Sequence, residues 1–470
     1  MLIDFSFANH KSYRDPQQFS MTLAHADDTV FDSWGMPEVA TVAAVYGANA
    51  SGKSAFLDAL TYIPRLLYRG LDLRRKNNGT GRTPFLLDTA SRTDTSDYLY
   101  TFIASDGKKY LYEVSLDDEE VLYESLKVFT TGNRTAKLFE RVIDSDGDVK
   151  VTFGRLFVGQ KRMMSSQLRG DRLLLGIAGS SGATAVIPAF DELVGIRLYP
   201  ASGFTSELRR IAVDMQASPG RAEALSTLVG SSSLGIESIK VDRKLREAIE
   251  RCLEHPSSEE ALLYRNIVRG LSYITMPDLP EEDRDDDVDE MARSLVDFGD
   301  YPLLFLHVGA DGSEAYLGED SESRGTQAAL AFLSLALDKL AKPTVTLVDE
   351  IDTSLHPTYV EQLVGLFTDP RTNPHQSQLI FTTHDITLIT RSGADERPLS
   401  RDQVWIAAKE KNGVSTLYPI TSFKHVRKDE NLGRNYLHGV YGGLPTPLLH
   451  ESFAAALDLI RDDSAEASDV

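Results

Sequence analysis

The sequence predicts an α/β fold: a mixed central sheet with an antiparallel β subdomain, carrying an inserted, mostly helical lobe. Three observations predict it. Residues 42–60, VAAVYGANASGKSAFLDAL, read as a buried strand, a glycine loop and a helix with an apolar face. Strand-like runs at 98–104, 109–116, 121–130, 137–142 and 150–153 are separated by the turn signals Asp106-Gly107, Gly132-Asn133 and Asp146-Gly147, the texture of a half-buried antiparallel meander. Two further apolar strands, 344–349 and 378–382, return only after a long helical stretch.

The glycine loop carries chemistry. Gly47, Ala48, Asn49, Ala50, Ser51, Gly52, Lys53 and Ser54 fit G-x-x-x-x-G-K-[ST] at every position, between a strand and a helix as the motif requires. Gly47 and Gly52 let successive backbone N–H groups curl around β- and γ-phosphates. The helix N-terminus adds partial positive charge. Lys53 reaches the phosphate oxygens, and the Ser54 hydroxyl can ligate Mg²⁺. A chance glycine turn would need all four fixed positions to coincide in this context. The expected ligands are therefore a nucleoside triphosphate and Mg²⁺.

Bulk properties narrow the class. The chain has 470 residues, 42% of them hydrophobic, enough for about two to four average domains or one large domain with an insertion. It has no apolar run of about 18 residues to span a membrane. Its opening, MLIDFSFANHKSY, lacks the basic-then-apolar order of a secretory signal. Cys252 is the single cysteine, which excludes an intrachain disulfide and a cysteine-based metal site. Together these predict a cytoplasmic protein. A net charge of −21 argues against a surface that coats nucleic acid as a whole, though not against a local basic groove.

In chain order, residues 2–7 alternate as an edge strand, Asn9 to Tyr13 make a turn, and 19–23 look like its hairpin partner. Residues 24–40 read as a loop, and the glycine-loop helix runs to about Arg69. Arg65, Arg69, Arg74, Arg75, Lys76 and Arg82 stand against one acid, Asp72. That stretch is either a solvated helix end and loop or a groove for nucleic acid or a partner. Helical patterns follow at 160–178, 185–195, 205–218, 221–228, 244–253 and 258–271, with an acidic loop at 281–290. No sustained heptads appear, so no long coiled coil is expected. Strands at 303–308 and 315–317, a helix at 326–340, the strand at 344–349, a helix at 353–366, and strands at 378–382 and 403–408 complete the pattern. The tail beyond 451 reads as an amphipathic helix with a frayed acidic end. The predicted domains are 1–155, the first part of the head with the glycine loop and antiparallel sheet; 156–300, the inserted lobe; 301–450, the second part of the head; and 451–470, the tail.

Two more strand tips bear functional groups. The strand at 344–349 ends in Asp349-Glu350. Asp349 suits holding the water shell of Mg²⁺, and Glu350, where the sheet ends, can activate water as general base. The strand at 378–382 runs into Thr383, His384 and Asp385. A lone histidine is more often structural, but at this tip His384 could contact a γ-phosphate and sense its loss. Upstream, Ser323 and Gly325 open a helix and offer a second anion site. One chain does not need two phosphate cradles for one nucleotide. A dimer that sandwiches the nucleotide does.

Taken together, GANASGKS, ESRGTQ, TLVDEIDTSLHP and FTTHD resemble an ABC-type ATPase head, of the SMC, RecF and OLD kind rather than a transporter subunit. With the opening LIDFSFANHKSYRD, PFLLD at 84–88 and RKDENLGRNYLHGVYGGLP at 427–445, the chain is similar to AAA-type ATPases of prokaryotic phage-defence and abortive-infection loci, the RloA/AbiL-like group. The resemblance implies that Gly47, Asn49, Gly52, Lys53 and Ser54 bind phosphate and Mg²⁺. It makes Asp349 the Walker B acid, Glu350 the base and His384 the switch histidine. Asp352 would lie on the loop crossing the dimer, and Ser323 and Gly325 would complete the partner's site. Asn9, Lys11 and Ser12 would lie near the nucleotide base or phosphates. Two departures stand out: Arg324 replaces a small residue of the signature, and no glutamine stands where a Q-loop is expected, the nearby PFLLD offering only Asp88.

The implied function is an ATP-hydrolysing dimeric switch, a homodimer or a higher oligomer of dimers, in antiviral defence. Roughly 25 residues follow Pro445, too few for a nuclease domain, so a nuclease or toxin effector is expected as a separate chain. The alternative is a RecF/SMC-like DNA-repair or chromosome-maintenance ATPase that binds DNA directly through residues 65–82. A P-loop kinase is argued against by the signature-like loop and the His384 strand.

Overall fold

A computed structural model describes residues 1–23, 38–69, 79–130, 134–144, 147–200, 204–242, 302–390, 397–423, 430–445 and 449–468. Most of the loop expected at 24–40, the helical patterns at 244–253 and 258–271, the acidic run at 281–290, Arg74, Arg75, Lys76 and Cys252 lie outside them. The chain divides into two compact units: Met1–Leu198 with Pro343–Ile351 and Phe367–Val470, and Tyr199–Lys342 with Asp352–Leu366.

Among the described residues the first unit holds two sheets. The antiparallel one contains β1 (Leu2–Ala8), β2 (Gln17–Ser20), β4 (Ser96–Ile103), β5 (Lys109–Leu116), β6 (Val121–Thr130), β7 (Arg134–Ile143) and β8 (Val149–Phe153), in the order β2-β1-β4-β5-β6-β7-β8. The meander expected from 98 to 153 is present. β1 is not the expected edge: Phe5 pairs with Phe19 of β2 on one side and Tyr100 of β4 on the other. The short β2, placed two residues earlier than expected, takes the edge. The inward rings explain the order, since Phe5 meets Tyr100 at 4.7 Å and Phe7 at 5.2 Å.

The mixed sheet contains β3 (Val42–Tyr46), β9 (Arg197–Pro200), β13 (Val345–Asp349), β14 (Gln378–Thr382), β15 (Val404–Lys409) and β16 (Ser415–Pro419), ordered β16-β15-β3-β14-β13-β9. β13, β14, β3 and β15 run parallel, and β16 returns antiparallel. The parallel strands are buried on both faces, which is why they read as unbroken apolar runs.

α1 (Lys53–Arg69) ties the sheets into one core. Phe56 packs against Phe5, Phe7 and Phe19, and Phe19 lies 4.8 Å from Trp405. α1 contains Pro64, which has no N–H to give the carbonyl four residues back. That carbonyl, Leu60 O, instead accepts from the buried Tyr100 hydroxyl at 3.0 Å. Tyr100→Phe should therefore leave a buried acceptor unpaired and cost about 1–3 kcal/mol. The urea midpoint of the variant checks it; an unchanged midpoint would show that water satisfies Leu60 O.

Residues 156–198, expected in the inserted lobe, belong to this first unit. α4 (Leu174–Ser180) and α5 (Ile187–Val194) send Leu174, Leu175, Ile177, Ala189 and Leu193 into the same core. The single helix expected over 160–178 is broken into α3 (Lys161–Gln167) and α4. Arg141 causes the break: buried on β7, it donates to the carbonyls of Arg169, Gly170 and Arg172, which a continuous helix would need for itself. Glu124 on β6 accepts from the N–H groups of Leu174 at 2.6 Å and Leu175 at 2.8 Å, capping α4.

In the second unit β10 (Ser238–Val241), β11 (Leu303–Val308) and β12 (Glu314–Gly318) form an antiparallel sheet. α6 (Phe204–Ala217) and α7 (Pro219–Gly230) are tied to α8 (Arg324–Leu340) by Arg210 and Arg221, which both reach Asp338. The helix expected at 353–366 begins later, as α9 (Pro357–Thr368). Pro357 suits a helix start, and Ser354 just before it is held at φ 66°, which no helix allows. Back in the first unit, α10 (Leu432–Leu437) is followed by α11 (Leu449–Ser468). The helix continues to Ser468 where a frayed acidic end was expected.

Candidate functional site

In the first unit the C-terminal tips of three adjacent parallel strands carry the predicted groups. β14 lies between β3 and β13, with Phe381 in register with Ala44 on one side and Val348 on the other. β3 therefore delivers the glycine loop, β14 delivers His384, and β13 delivers Asp349 and Glu350. Crevices at such tips are where open α/β sheets take ligands.

The loop conformation demands its glycines. Gly52 has φ +114°, and a Cβ on it would lie 2.8 Å from Ser415 Oγ. A Cβ on Gly47 would lie 2.3 Å from the Ala407 carbonyl oxygen and 2.5 Å from Ser51 Oγ. Ala50, held at φ 63°, is the loop's one non-glycine in the left-handed region. Asn49 and Ala50 are exposed, and Ala48 is half-buried. Ser54 is exposed on the first turn of α1. Lys53 is buried and folds back: Nζ donates to Gly47 O at 2.9 Å, to Ala48 O at 3.1 Å and to His384 Nε2 at 3.1 Å. An ammonium only donates, so Nε2 accepts and His384 here carries its proton on Nδ1. Loop lysine and strand-tip histidine are thus in direct contact.

At the neighbouring tip, Thr382 joins the two acids. Its hydroxyl donates to Asp349 Oδ1 at 2.6 Å and accepts from Glu350 N–H at 2.7 Å. Glu350 is exposed and has φ 52°, a strained setting for glutamate that points to a functional constraint. Sequence reasoning missed Thr382 as a positioning group; nothing in a strand-end threonine distinguishes it before the register is known.

The N-terminal residues divide. Asn9 is buried, and its amide donates to the carbonyls of Ser91, Asp94 and Thr95 while its oxygen accepts from Phe85 N–H. Its side chain therefore staples the 85–95 segment, which carries α2 (Thr89–Thr93). Lys11 Nζ lies 2.7 Å from Asp58 on α1. Ser12 comes nearest the loop: its carbonyl accepts from Ser415 N–H at 2.7 Å and its hydroxyl meets Ser415 Oγ at 2.9 Å. Tyr13 beside it donates to Gly52 O at 3.2 Å. Burial alone would push the Asp58 carboxyl up, but hydrogen bonds from His10 and Lys11 and the charge of Arg65 outweigh it and hold it well below the usual carboxylate range.

Two of the predicted basic-groove residues are engaged internally. Arg65 is paired with Asp58 at 2.6 Å. Arg82 is buried, paired with Asp118 at 2.7 Å and bonded to the Arg92 carbonyl.

In the second unit Ser323 caps α8, its hydroxyl accepting from Thr326 N–H at 3.1 Å. Gly325 follows inside the first turn, where a Cβ would lie 2.7 Å from the Ser354 carbonyl. Beside Ser323, Glu322 is joined to His307 at 2.7 Å. Asp352 is half-buried in the turn between Glu350 and α9. Ser323 and Gly325 therefore do share a helix N-terminus, and the small residue at 325 is required by the approach of the 352–356 turn.

The family model described as "AAA domain, putative AbiEii toxin, Type IV TA system" matches residues 42–162 and 254–390, more than half of the chain. The chain belongs to this family. Its matched segments contain the glycine loop, both strand-tip acids and His384, and the gap between them covers α4 to α7. No curated protein sequence matches the chain. Among solved structures, an SMC head bound to the C-winged helix domain of ScpA is 13% identical over 89% of this chain and 96% of that one, with a TM-score of 0.39. The recombination mediator protein RecF is 11% identical over 89% of this chain and 98% of that one, with a TM-score of 0.33.

Proposed function

We propose that this chain is a Mg²⁺-dependent ATP hydrolase of the ABC type, working as a dimeric switch that controls a separate nuclease or toxin in anti-phage defence, in the manner of the RloA/AbiL-like group. The observation that carries the catalytic part is the alignment of three strand tips, which supports placing Lys53, Glu350 and His384 around one γ-phosphate.

In this reading the loop N–H groups and Lys53 hold the β- and γ-phosphates. Lys53 exchanges its bonds to the Gly47 and Ala48 carbonyls for phosphate oxygens. His384, already at Lys53, moves with it and registers whether the γ-phosphate is there. Glu350 accepts a proton from the attacking water, and Thr382 fixes the backbone from which Glu350 projects. The oxygen donors at hand, the Ser54 hydroxyl and the Asp349 carboxylate, suit Mg²⁺, which takes one or two carboxylates plus substrate phosphates. When bound, the ion neutralises charge on the phosphates.

Ser323 and Gly325 are the proposed trans contacts: the capped N-terminus of α8 in one chain meets the γ-phosphate in another, with Asp352 on the crossing loop. The defence role and the effector rest on the family's description as a putative toxin of a type IV toxin–antitoxin system. The RecF/SMC-like alternative draws on the basic stretch, and the internal pairing of Arg65 and Arg82 weakens it.

Concentration dependence tests the sandwich. Hydrolysis rate should rise with the square of protein concentration below the dimer dissociation constant. Ser323→Arg should abolish hydrolysis while leaving ATP binding to the monomer intact. A rate linear in protein that survives Ser323→Arg would sink the dimer and favour a phosphotransferase acting alone. DNA-stimulated hydrolysis that is lost on charge reversal at Arg74 and Arg75 would move the reading to the repair class.

A further inference from the structure

The turn between β1 and β2 takes no part in the reaction above, yet it reaches the glycine loop. Asn9 and Lys11 are both held in the left-handed region, at φ 53° and φ 50°. Asparagine takes that region readily; for lysine it is strain. Backbone bonds hold the strain in place. His10 N–H donates to Tyr13 O at 2.8 Å, Tyr13 N–H to His10 O at 2.9 Å, and Lys11 N–H to Thr83 O at 2.7 Å. A strained turn fixed this firmly sets the place of the residue it delivers, and that residue is Tyr13.

Tyr13 is fully buried, its ring edge-on to Phe7 at 5.1 Å. Its hydroxyl donates to the Gly52 carbonyl at 3.2 Å. Burial pushes this phenol above the ordinary tyrosine range, so it keeps its proton and remains a donor. The Gly52 carbonyl also accepts from Phe56 N–H at 2.9 Å, and its two lone pairs serve both donors. The Gly52 Cα is boxed in as well. A Cβ there would lie 3.0 Å from Ser415 Cβ and 3.1 Å from the Tyr13 hydroxyl oxygen. Ser415 is buried and is itself tied to Ser12, the residue before Tyr13. Turn and hairpin thus close on the second fixed glycine of the loop together.

The peptide joining Gly52 to Lys53 is planar, and in a trans peptide the C=O and N–H point in opposite directions. Whatever fixes the Gly52 carbonyl therefore fixes the direction of the Lys53 N–H. Lys53 is the first residue of α1, so that N–H is directed out of the helix end, where anions are held.

We propose that Tyr13 is a positioning residue for phosphate binding: its hydroxyl holds the Gly52 carbonyl and, through the Gly52–Lys53 peptide plane, aims the Lys53 N–H at the bound phosphate. The inference rests on the reading that this loop binds nucleotide phosphates. Tyr13 acts through the backbone and does not touch the ligand.

Tyr13→Phe removes one oxygen and keeps the ring on Phe7. Tyr100→Phe is the matched comparison, another buried hydroxyl that donates to a carbonyl on the same helix, Leu60 O, about two turns further on. In the full-length protein, a fluorescent ATP analogue and steady-state kinetics read the effect. Tyr13→Phe should raise the analogue's Kd on the order of fivefold, the worth of one hydrogen bond, with KM rising by more than kcat falls. Tyr100→Phe should lower the urea midpoint and leave Kd where it was. Wild-type affinity in Tyr13→Phe overturns the positioning role. Equal losses of affinity in both tyrosine variants also overturn it, because helix stability alone would then account for them. Lys53→Ala separates failure of this role from failure of the nucleotide reading. If it binds the analogue as wild type does, the nucleotide reading itself falls. If it loses binding while Tyr13→Phe keeps it, only the positioning role falls.

Discussion

Glu350→Gln should abolish turnover while leaving ATP bound. The substitution keeps size and shape, so the Thr382 contact to the residue 350 N–H stays in place. What it removes is the base, and losing general-base catalysis costs about 10²–10⁴ in rate. Because hydrolysis is what reopens the proposed dimer, the variant should accumulate as a dimer on gel filtration with ATP and return to monomer without it. Pulled from its native host in that state and analysed by mass spectrometry, it should carry a nuclease or toxin; DNA and repair proteins instead would favour the RecF-like reading. Undiminished hydrolysis would remove Glu350 from the mechanism. The backbone offers an independent check. Glu350 sits at φ 52°, where a residue with a Cβ carries about 1–3 kcal/mol of strain. Glu350→Gly should relieve that strain and raise the urea midpoint while eliminating hydrolysis. Higher stability with lost activity is the signature of strain kept for function. A lower midpoint would mean that the glutamate side chain itself holds the turn.

How much of this was legible beforehand depended on the range of the signal. The glycine loop is local: strand, turn and helix are consecutive, and Gly47 to Ser54 could be read directly. The antiparallel meander was legible because its turns carry Asp-Gly and Gly-Asn pairs. β16 lies outside the expected strands although Asn412-Gly413, a strong hairpin signal, stands between it and β15. The break between α3 and α4 could not be seen, because Arg141, which holds it open, comes from a strand some 30 residues earlier. The resemblance places Asn9 near the nucleotide together with Lys11 and Ser12. The four hydrogen bonds of its side chain run to a segment about 80 residues away, which spacing along the chain does not reveal.

The largest stability loss should come from Glu124, a residue that the sequence marks as an ordinary strand glutamate. It is fully buried and receives three donors: Tyr112 Oη at 2.8 Å and the N–H groups of Leu174 and Leu175. Burial pushes its carboxyl up, and the Arg141 charge, the two helix N–H groups and Tyr112 pull the other way without cancelling it. Glu124→Ala strands those donors and leaves the buried Arg141 without its nearby countercharge, an expected loss of about 3–5 kcal/mol. Glu124→Gln should cost less, about 1–3 kcal/mol, since its amide oxygen still accepts while its NH₂ faces a helix N–H. The pH dependence has a definite sign. A carboxyl raised on folding contributes stability that is complete below its unfolded value, near 4.3, and is lost as pH rises through its folded value. The advantage of wild type over Glu124→Gln should therefore shrink as pH climbs from about 4 toward 7. Urea melts of the two proteins in parallel isolate this residue, because groups shifted the opposite way, such as Asp58, are common to both. An advantage that grows with pH would mean that the donors outweigh burial and hold Glu124 as a carboxylate anchored to α4.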